Sequence, residues 1–171
     1  ISLGLKIGIP NIIGGSIEGV LPVFNNRMAP YANISGFKFD VDDIGLKLSY
    51  LEFGSKIYFN NDGNGFFLGV GASKFSSALK FSNLDLECGQ GSGEVDLDIN
   101  TFIIKLGAKT GGRIYFSFEL GYGIGSIPDN LVFNATSSNG IKESVTENIP
   151  PIPGITKSGM LIGNVGFGIS F

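Results

Sequence analysis

Met160-Leu-Ile-Gly-Asn-Val-Gly-Phe-Gly-Ile-Ser-Phe171 is the stretch whose reading decides the fold. Strand side chains point alternately to opposite faces, so an extended chain puts Val165, Phe167, Ile169 and Phe171 on one side. Asn164, Gly166, Gly168 and Ser170 fall on the other. A face of branched and aromatic side chains is thus backed by glycine and small polar groups. Residues 1–9 repeat the pattern, with Ile1, Leu3, Leu5, Ile7 and Ile9 opposite Ser2, Gly4, Lys6 and Gly8. So do residues 114–124, with Ile114, Phe116, Phe118, Leu120, Tyr122 and Ile124 opposite Ser117, Glu119, Gly121 and Gly123.

Between these three segments the same signal predicts five more strands. One runs from Gly14 to Leu21, with Ile17 and Leu21 outward and Ser16 and Glu18 inward. The next covers about 27–37. A fourth, from Ile44 to Phe59, begins with Ile44, Leu46, Leu48 and Tyr50 on the apolar face and then changes to Leu51, Phe53, Ile57 and Phe59. One extra residue near Tyr50-Leu51, a β-bulge, would produce that change. Strands from Phe66 towards Phe81 and from Glu94 through Leu106 show the same change near Lys74-Phe75 and near Asn100. Turns fall at 22–26, 60–65 and 111–112, all short and rich in glycine, asparagine or proline. The alternate connections, at 40–43, 82–93 and 128–157, are mostly longer, and the tight one after Ile9 is an exception.

Eight strands in 171 residues make a single domain, 1–171, large enough for a closed barrel. The chain holds 27 Gly, 15 Phe and only 16% charged residues, against about 7% Gly and 25% charge in soluble domains. No window offers the roughly 18 consecutive apolar residues of a spanning helix. Apolar residues spread over alternating strands are the other way to cross a membrane. A soluble eight-stranded barrel alternates too, with its apolar face turned inward. Side-chain size favours the membrane arrangement, because a solvated outer face carries long charged residues rather than glycine. The expected fold is therefore an all-β, eight-stranded, antiparallel, up-and-down transmembrane β-barrel.

The last stretch resembles the closing strand of bacterial outer-membrane β-barrels, and the chain as a whole looks like the small OmpA/OmpX-type barrels. The resemblance implies that Val165, Phe167, Ile169 and Phe171 form an assembly signal read by the barrel-assembly machinery. It also implies a Gram-negative outer-membrane location with both termini periplasmic and short turns on that side. Phe59, Phe66, Phe116 and Phe171 gather there as an interfacial girdle would, carried by Phe and Tyr since Trp is absent. Ile1 starts directly in a strand pattern, as expected of a mature form.

Several activities are excluded by composition. The chain has no His, so Ser–His–Asp hydrolysis and His-ligated metal catalysis are not available. The enzymes among small outer-membrane barrels rely on a histidine, so this chain is expected not to be one. With Cys88 alone there is neither an intrachain disulfide nor a CxxC motif. A net charge of −3 without a basic stripe argues against nucleic acid. No cofactor is expected, and no metal. Asp40, Asp42 and Asp43, with Asp85 and Glu87, are read as a solvated rim rather than a cation site. The sequons at Asn33 and Asn134 carry no message in a bacterial protein, and 148–154 is a proline-stiffened loop.

Seven charged residues map to the inward face: Lys6, Glu18, Lys47, Glu52, Lys56, Lys105 and Glu119. Eight strands enclose an interior just wide enough for side chains, so these charges must pair. They are expected to form a structural ion-pair network, with a gated ion path as the alternative. The functional expectation is a non-catalytic membrane protein whose outer loops contact the surroundings or a partner. The alternatives are an accessory subunit of a larger outer-membrane complex, and a narrow pore or ligand-binding barrel.

Overall fold

Extended backbone leaves N–H and C=O groups on both edges of every strand, and this chain satisfies them by closing the sheet on itself. The computed structural model describes residues 1–41, 44–86, 89–126, 130–137, 142–148 and 155–171, and no helix occurs among them. Its strands are β1 (Ser2–Ile9), β2 (Ile12–Glu18), β3 (Met28–Val41), β4 (Ile44–Tyr58), β5 (Gly65–Leu86) and β6 (Gly89–Lys109). There follow β7 (Ile114–Ile124), β8 (Asn130–Ser137), β9 (Lys142–Asn148), β10 (Ile155–Thr156) and β11 (Gly159–Ser170). Neighbours β1 to β7 pair antiparallel in sequence order, β7 pairs β11, and β11 returns to β1 through Leu5↔Phe167 and its flanking pairs. The result is a closed eight-stranded antiparallel barrel. A row of register partners from Leu3 through Ile17, Ala32, Phe53, Ala72, Phe102 and Ile124 reaches Gly159, beyond the upper end of β1. The strands are therefore tilted, as closure of eight strands requires.

The apolar face points outward. Leu3, Ile17, Ile34, Phe53, Phe102, Phe118 and Val165 are all exposed, and the inward positions between them are buried. The girdle residues Phe59, Phe66, Phe116 and Phe171 are exposed at the end where β2–β3, β4–β5 and β6–β7 are joined. Tyrosine takes little part in that girdle, because Tyr31, Tyr50, Tyr58 and Tyr115 are buried inside.

The expected bulges in β4, β5 and β6 are absent. Register runs without a shift from Met28↔Ile57 to Val41↔Ile44 and from Ile44↔Phe81 to Tyr58↔Phe67. On β5–β6 the register shifts only between Phe81 and Leu84. What changes is the chemistry of each face while the parity stays constant. Ile34↔Leu51, Leu51↔Lys74 and Lys74↔Asn100 lie on one hydrogen-bonded row. Below it the outward positions are apolar or glycine except Ser55. Above it they become Lys38 and Asp40, Ser49 and Lys47, Ser76 and Lys80, Asp98 and Asp96. Inside, the inversion runs the other way, so Tyr50, Phe75, Leu97, Ile99 and Met160 form a buried apolar cluster with Leu48 against it.

The short strands stop near this row: the last β2–β3 pair is Gly14↔Ser35 and the last β6–β7 pair is Phe102↔Ile124. Strands β3 to β6 continue as a one-sided sheet. The connection expected as a loop over 128–157 contains the hairpin β8–β9, whose β8 pairs β6 where β7 has left, Glu94↔Asn134 to Gly91↔Ser137. Likewise β5 and β6 run through most of 82–93, expected as a loop into which the alternation of Leu84 and Leu86 could carry β5 a few residues past Phe81, and Asp40 lies within β3. β2 starts at Ile12 rather than Gly14, and Leu21 makes an isolated bridge to Met28 beyond its end.

Glycines make room for the inward aromatic rings. A Cβ on Gly54 or Gly71 would stand 2.9 or 3.0 Å from the Tyr31 hydroxyl, tighter than ordinary contact. The paired Gly4 and Gly168 lie in the same way beneath the hydroxyl of Tyr115.

Candidate functional site

Inward parity on five strands, β1, β2, β4, β6 and β7, brings lysines and glutamates together in the barrel. Lys109 Nζ contacts Glu18 Oε1 at 2.7 Å, and Glu18 Oε2 accepts from Lys56 at 2.7 Å. Lys56 also meets Glu119 Oε1 at 2.9 Å, an oxygen shared with Lys6 at 2.8 Å. The other oxygen of Glu119 takes Lys105 at 3.0 Å, and Lys105 closes onto Glu52. Cations and anions thus alternate in an unbroken chain. All seven residues are buried, with Glu52 and Glu119 completely so.

A tyrosine stands at each end of the chain. Tyr58 donates to Glu18 at 2.9 Å and Tyr50 donates to Glu52 at 2.8 Å. Tyr58 packs with Ala29 and Phe67, and Tyr50 belongs to the apolar cluster above the row. The charges are therefore sealed between two apolar layers. Their mutual attraction is strong because water is excluded, and for the same reason an unpaired member would be costly.

Four lysines face three glutamates, so the chain carries one surplus positive charge, and aromatic faces offset it. The Tyr31 ring centroid lies 4.0 Å from Lys105 Nζ, 5.2 Å from Lys56 and 5.8 Å from Lys6. Phe67 and Tyr115 do the same for Lys56 and Lys109, each at 4.5 Å. Beside the chain, bounded by Ser16, Asn33, Tyr31 and Ser117, is a cavity of about 10 Å³. That is room for about one water. The side chains of Asn33 and Asn164 are buried with no hydrogen-bond partner among the described residues.

Of the seven residues expected in this network, Lys6, Glu18, Glu52, Lys56, Lys105 and Glu119 meet as described. Lys47 does not. It is exposed on the outer surface, because with no bulge it shares the face of Leu51 and Phe53. Lys109 takes its place, a residue that period-2 counting from Lys105 would have found had the strand been followed beyond Leu106. Lys47→Ala should change stability by less than about 0.5 kcal/mol, as surface substitutions do. Lys109→Ala should cost about 1.5–3 kcal/mol, the range for a buried hydrogen bond to a charged group. Denaturant unfolding of both variants in detergent compares them.

Val165, Phe167 and Ile169 are exposed on the outer face of β11, between β1 and β7, and Phe171, one residue beyond its end, is exposed as well. Asp40 is paired with Lys38 at 2.8 Å, both exposed. Asp98 pairs with Lys74 at 3.0 Å, and hydrogen bonds from Ser76 and Lys74 hold its carboxyl below the ordinary value. Asn33 is enclosed in the barrel, so its sequon is inaccessible. Asp42, Asp43, Glu87, Cys88 and residues 149–154 lie outside the described residues. Among the described residues no group of three His, Cys, Asp or Glu side chains gathers to hold a metal.

A closed eight-stranded barrel with an ion-paired interior is the class of protein that this fold and site define. No family model, curated protein or solved structure matches the chain.

Proposed function

We propose that this protein is a non-catalytic outer-membrane barrel, anchored by an ion-locked transmembrane half and presenting its one-sided sheet and outer connections to the surroundings or to a partner protein. The observation that carries this reading is the outward apolar belt and the row at which it ends. All eight barrel strands contribute to the belt, while the charged residues of these strands below that row are inside. Along β7 the belt is 11 residues long. At about 3.4 Å per residue and a tilt of about 40° it is roughly 26 Å tall, close to the apolar band of known outer-membrane barrels. In water such a surface would aggregate.

The sealed interior favours an anchor over a pore. An ion path needs a continuous wet route, whereas the charges here are paired with one another and with aromatic faces, and closed off by Tyr58 with Phe67 and by Tyr50 with Phe75. The same pairing argues against catalysis: each of Glu18, Glu52 and Glu119 is already held by at least one lysine. The outer face of β11 remains the proposed surface for the assembly machinery. We place the protein in a Gram-negative outer membrane, with the β3–β6 sheet outside and both termini periplasmic.

Cysteine labelling tests orientation and location together. In a Cys88→Ala background, Ser158→Cys should react with a membrane-impermeant maleimide on intact cells. Asp62→Cys should react only after the outer membrane is opened. The opposite pattern would reverse the orientation, and recovery of folded protein without detergent would overturn the membrane reading.

A further inference from the structure

Above the row where the faces invert, the outer surface of β3–β5 is basic. Lys38 and Lys47 are directly opposite across β3–β4, an arrangement that repels unless an anion lies between them. With Lys80 they surround a groove of about 390 Å³ over Gly45 and Ala78. Among the described residues Asp40 is the one carboxylate lining it, and its pair with Lys38 is exposed to water and so worth little; Lys80 is the register partner of Glu94 on β6. Lys47 has no carboxylate within ion-pair distance among the described residues. Below, on β4–β6, a second groove of about 380 Å³ opens where Ala72 separates Phe53 from Phe102, with Lys74 at its upper end. It is mostly apolar. Leu51 in the lower groove and Lys47 in the upper are four residues apart on β4, about 13 Å along the strand.

A cationic groove placed one headgroup's length above an acyl-sized groove matches an amphiphile with phosphates at one end and chains at the other. We propose that the β3–β6 outer face binds a phosphorylated, multiply acylated glycolipid of the surrounding leaflet. Its phosphate sits among Lys38, Lys47 and Lys80, and one acyl chain lies over Ala72 between Phe53 and Phe102. This rests on the membrane reading, which is tested first by whether the folded barrel requires detergent.

The experiment is native mass spectrometry of the detergent-solubilised barrel with four probes: bisphosphorylated lipid A, the same lipid dephosphorylated, phosphatidylglycerol and inorganic phosphate. The bisphosphorylated glycolipid should be retained at least tenfold better than its dephosphorylated form. Lys38→Gln and Lys47→Gln should each weaken retention about fivefold. Ala72→Phe should weaken both glycolipid forms by filling the lower groove. These variants are on the outer surface, and circular dichroism checks that they remain folded. Equal retention of the two glycolipid forms would make the lysines a solvated rim and overturn the proposal. Equal retention of phosphatidylglycerol, or displacement of the lipid by inorganic phosphate, would overturn it too. Failure of the membrane reading shows itself separately, as a barrel that is monodisperse without detergent.

Discussion

Glu119→Ala is expected to lower stability by about 3–5 kcal/mol, the cost of removing one member of a buried ionic group. Glu119 is completely buried and contacts Lys6, Lys56 and Lys105 within 3.0 Å. Its removal does not affect the three lysines equally. Lys56 keeps Glu18 and Lys105 keeps Glu52, but Lys6 has no other ion pair among the described residues. The second substitution that relieves the loss is therefore Lys6→Met. The double variant should recover about 1–3 kcal/mol, a coupling of the size found between residues in one network. Lys105→Met on the Glu119→Ala background should give no such rescue, because it strands Glu52 as well. Reversible unfolding of the single and double variants measures the cycle. Rescue by Lys105 rather than Lys6 would mean that the charges are partitioned differently.

Phe118→Arg is expected to cost about 2–4 kcal/mol, the penalty for a cation on the lipid face near mid-membrane. Phe118 is 55% exposed, midway along β7 and adjacent in sequence to the buried Glu119. Phe118→Leu should cost much less, since lipid makes no demand on shape and the outward position has no cavity to leave. The measurement is unfolding in lipid bilayers for both variants. An Arg that is tolerated, or that keeps the barrel soluble without detergent, would mean that water and not lipid faces this belt.

Alternation was sufficient to read an eight-stranded antiparallel barrel, and it was cleanest in β1, β7 and β11, because each of these strands meets one environment on each face along nearly its whole length. The same counting placed Lys6, Glu52, Lys105 and Glu119 on the inward side, since a charge between two outward apolar residues has only one direction to point, and strand parity did the same for Glu18 and Lys56. It failed on β4, β5 and β6. A change of phase at Tyr50-Leu51, Lys74-Phe75 and Asn100 has two explanations in sequence: an inserted residue with constant surroundings, or constant pairing with surroundings that exchange. The first was preferred, and it put Lys47 inside.

Register decides between them, and register belongs to pairs of strands. Only with the barrel assembled do Leu51, Lys74 and Asn100 line up on one row, and only then is Lys47 outside with Leu51. The β8–β9 hairpin was hidden for a related reason. Its strands carry no long apolar alternation, and β8 finds its place by pairing with the part of β6 that outlasts β7. By itself the sequence determined the period-2 pattern, the barrel strand count and the side on which most charges lie, because these follow from the geometry of one extended chain. Which lysine meets which glutamate, where the two faces exchange chemistry, and that the sheet continues on one side were decided only by tertiary structure. Each depends on the neighbour that closure sets beside a strand.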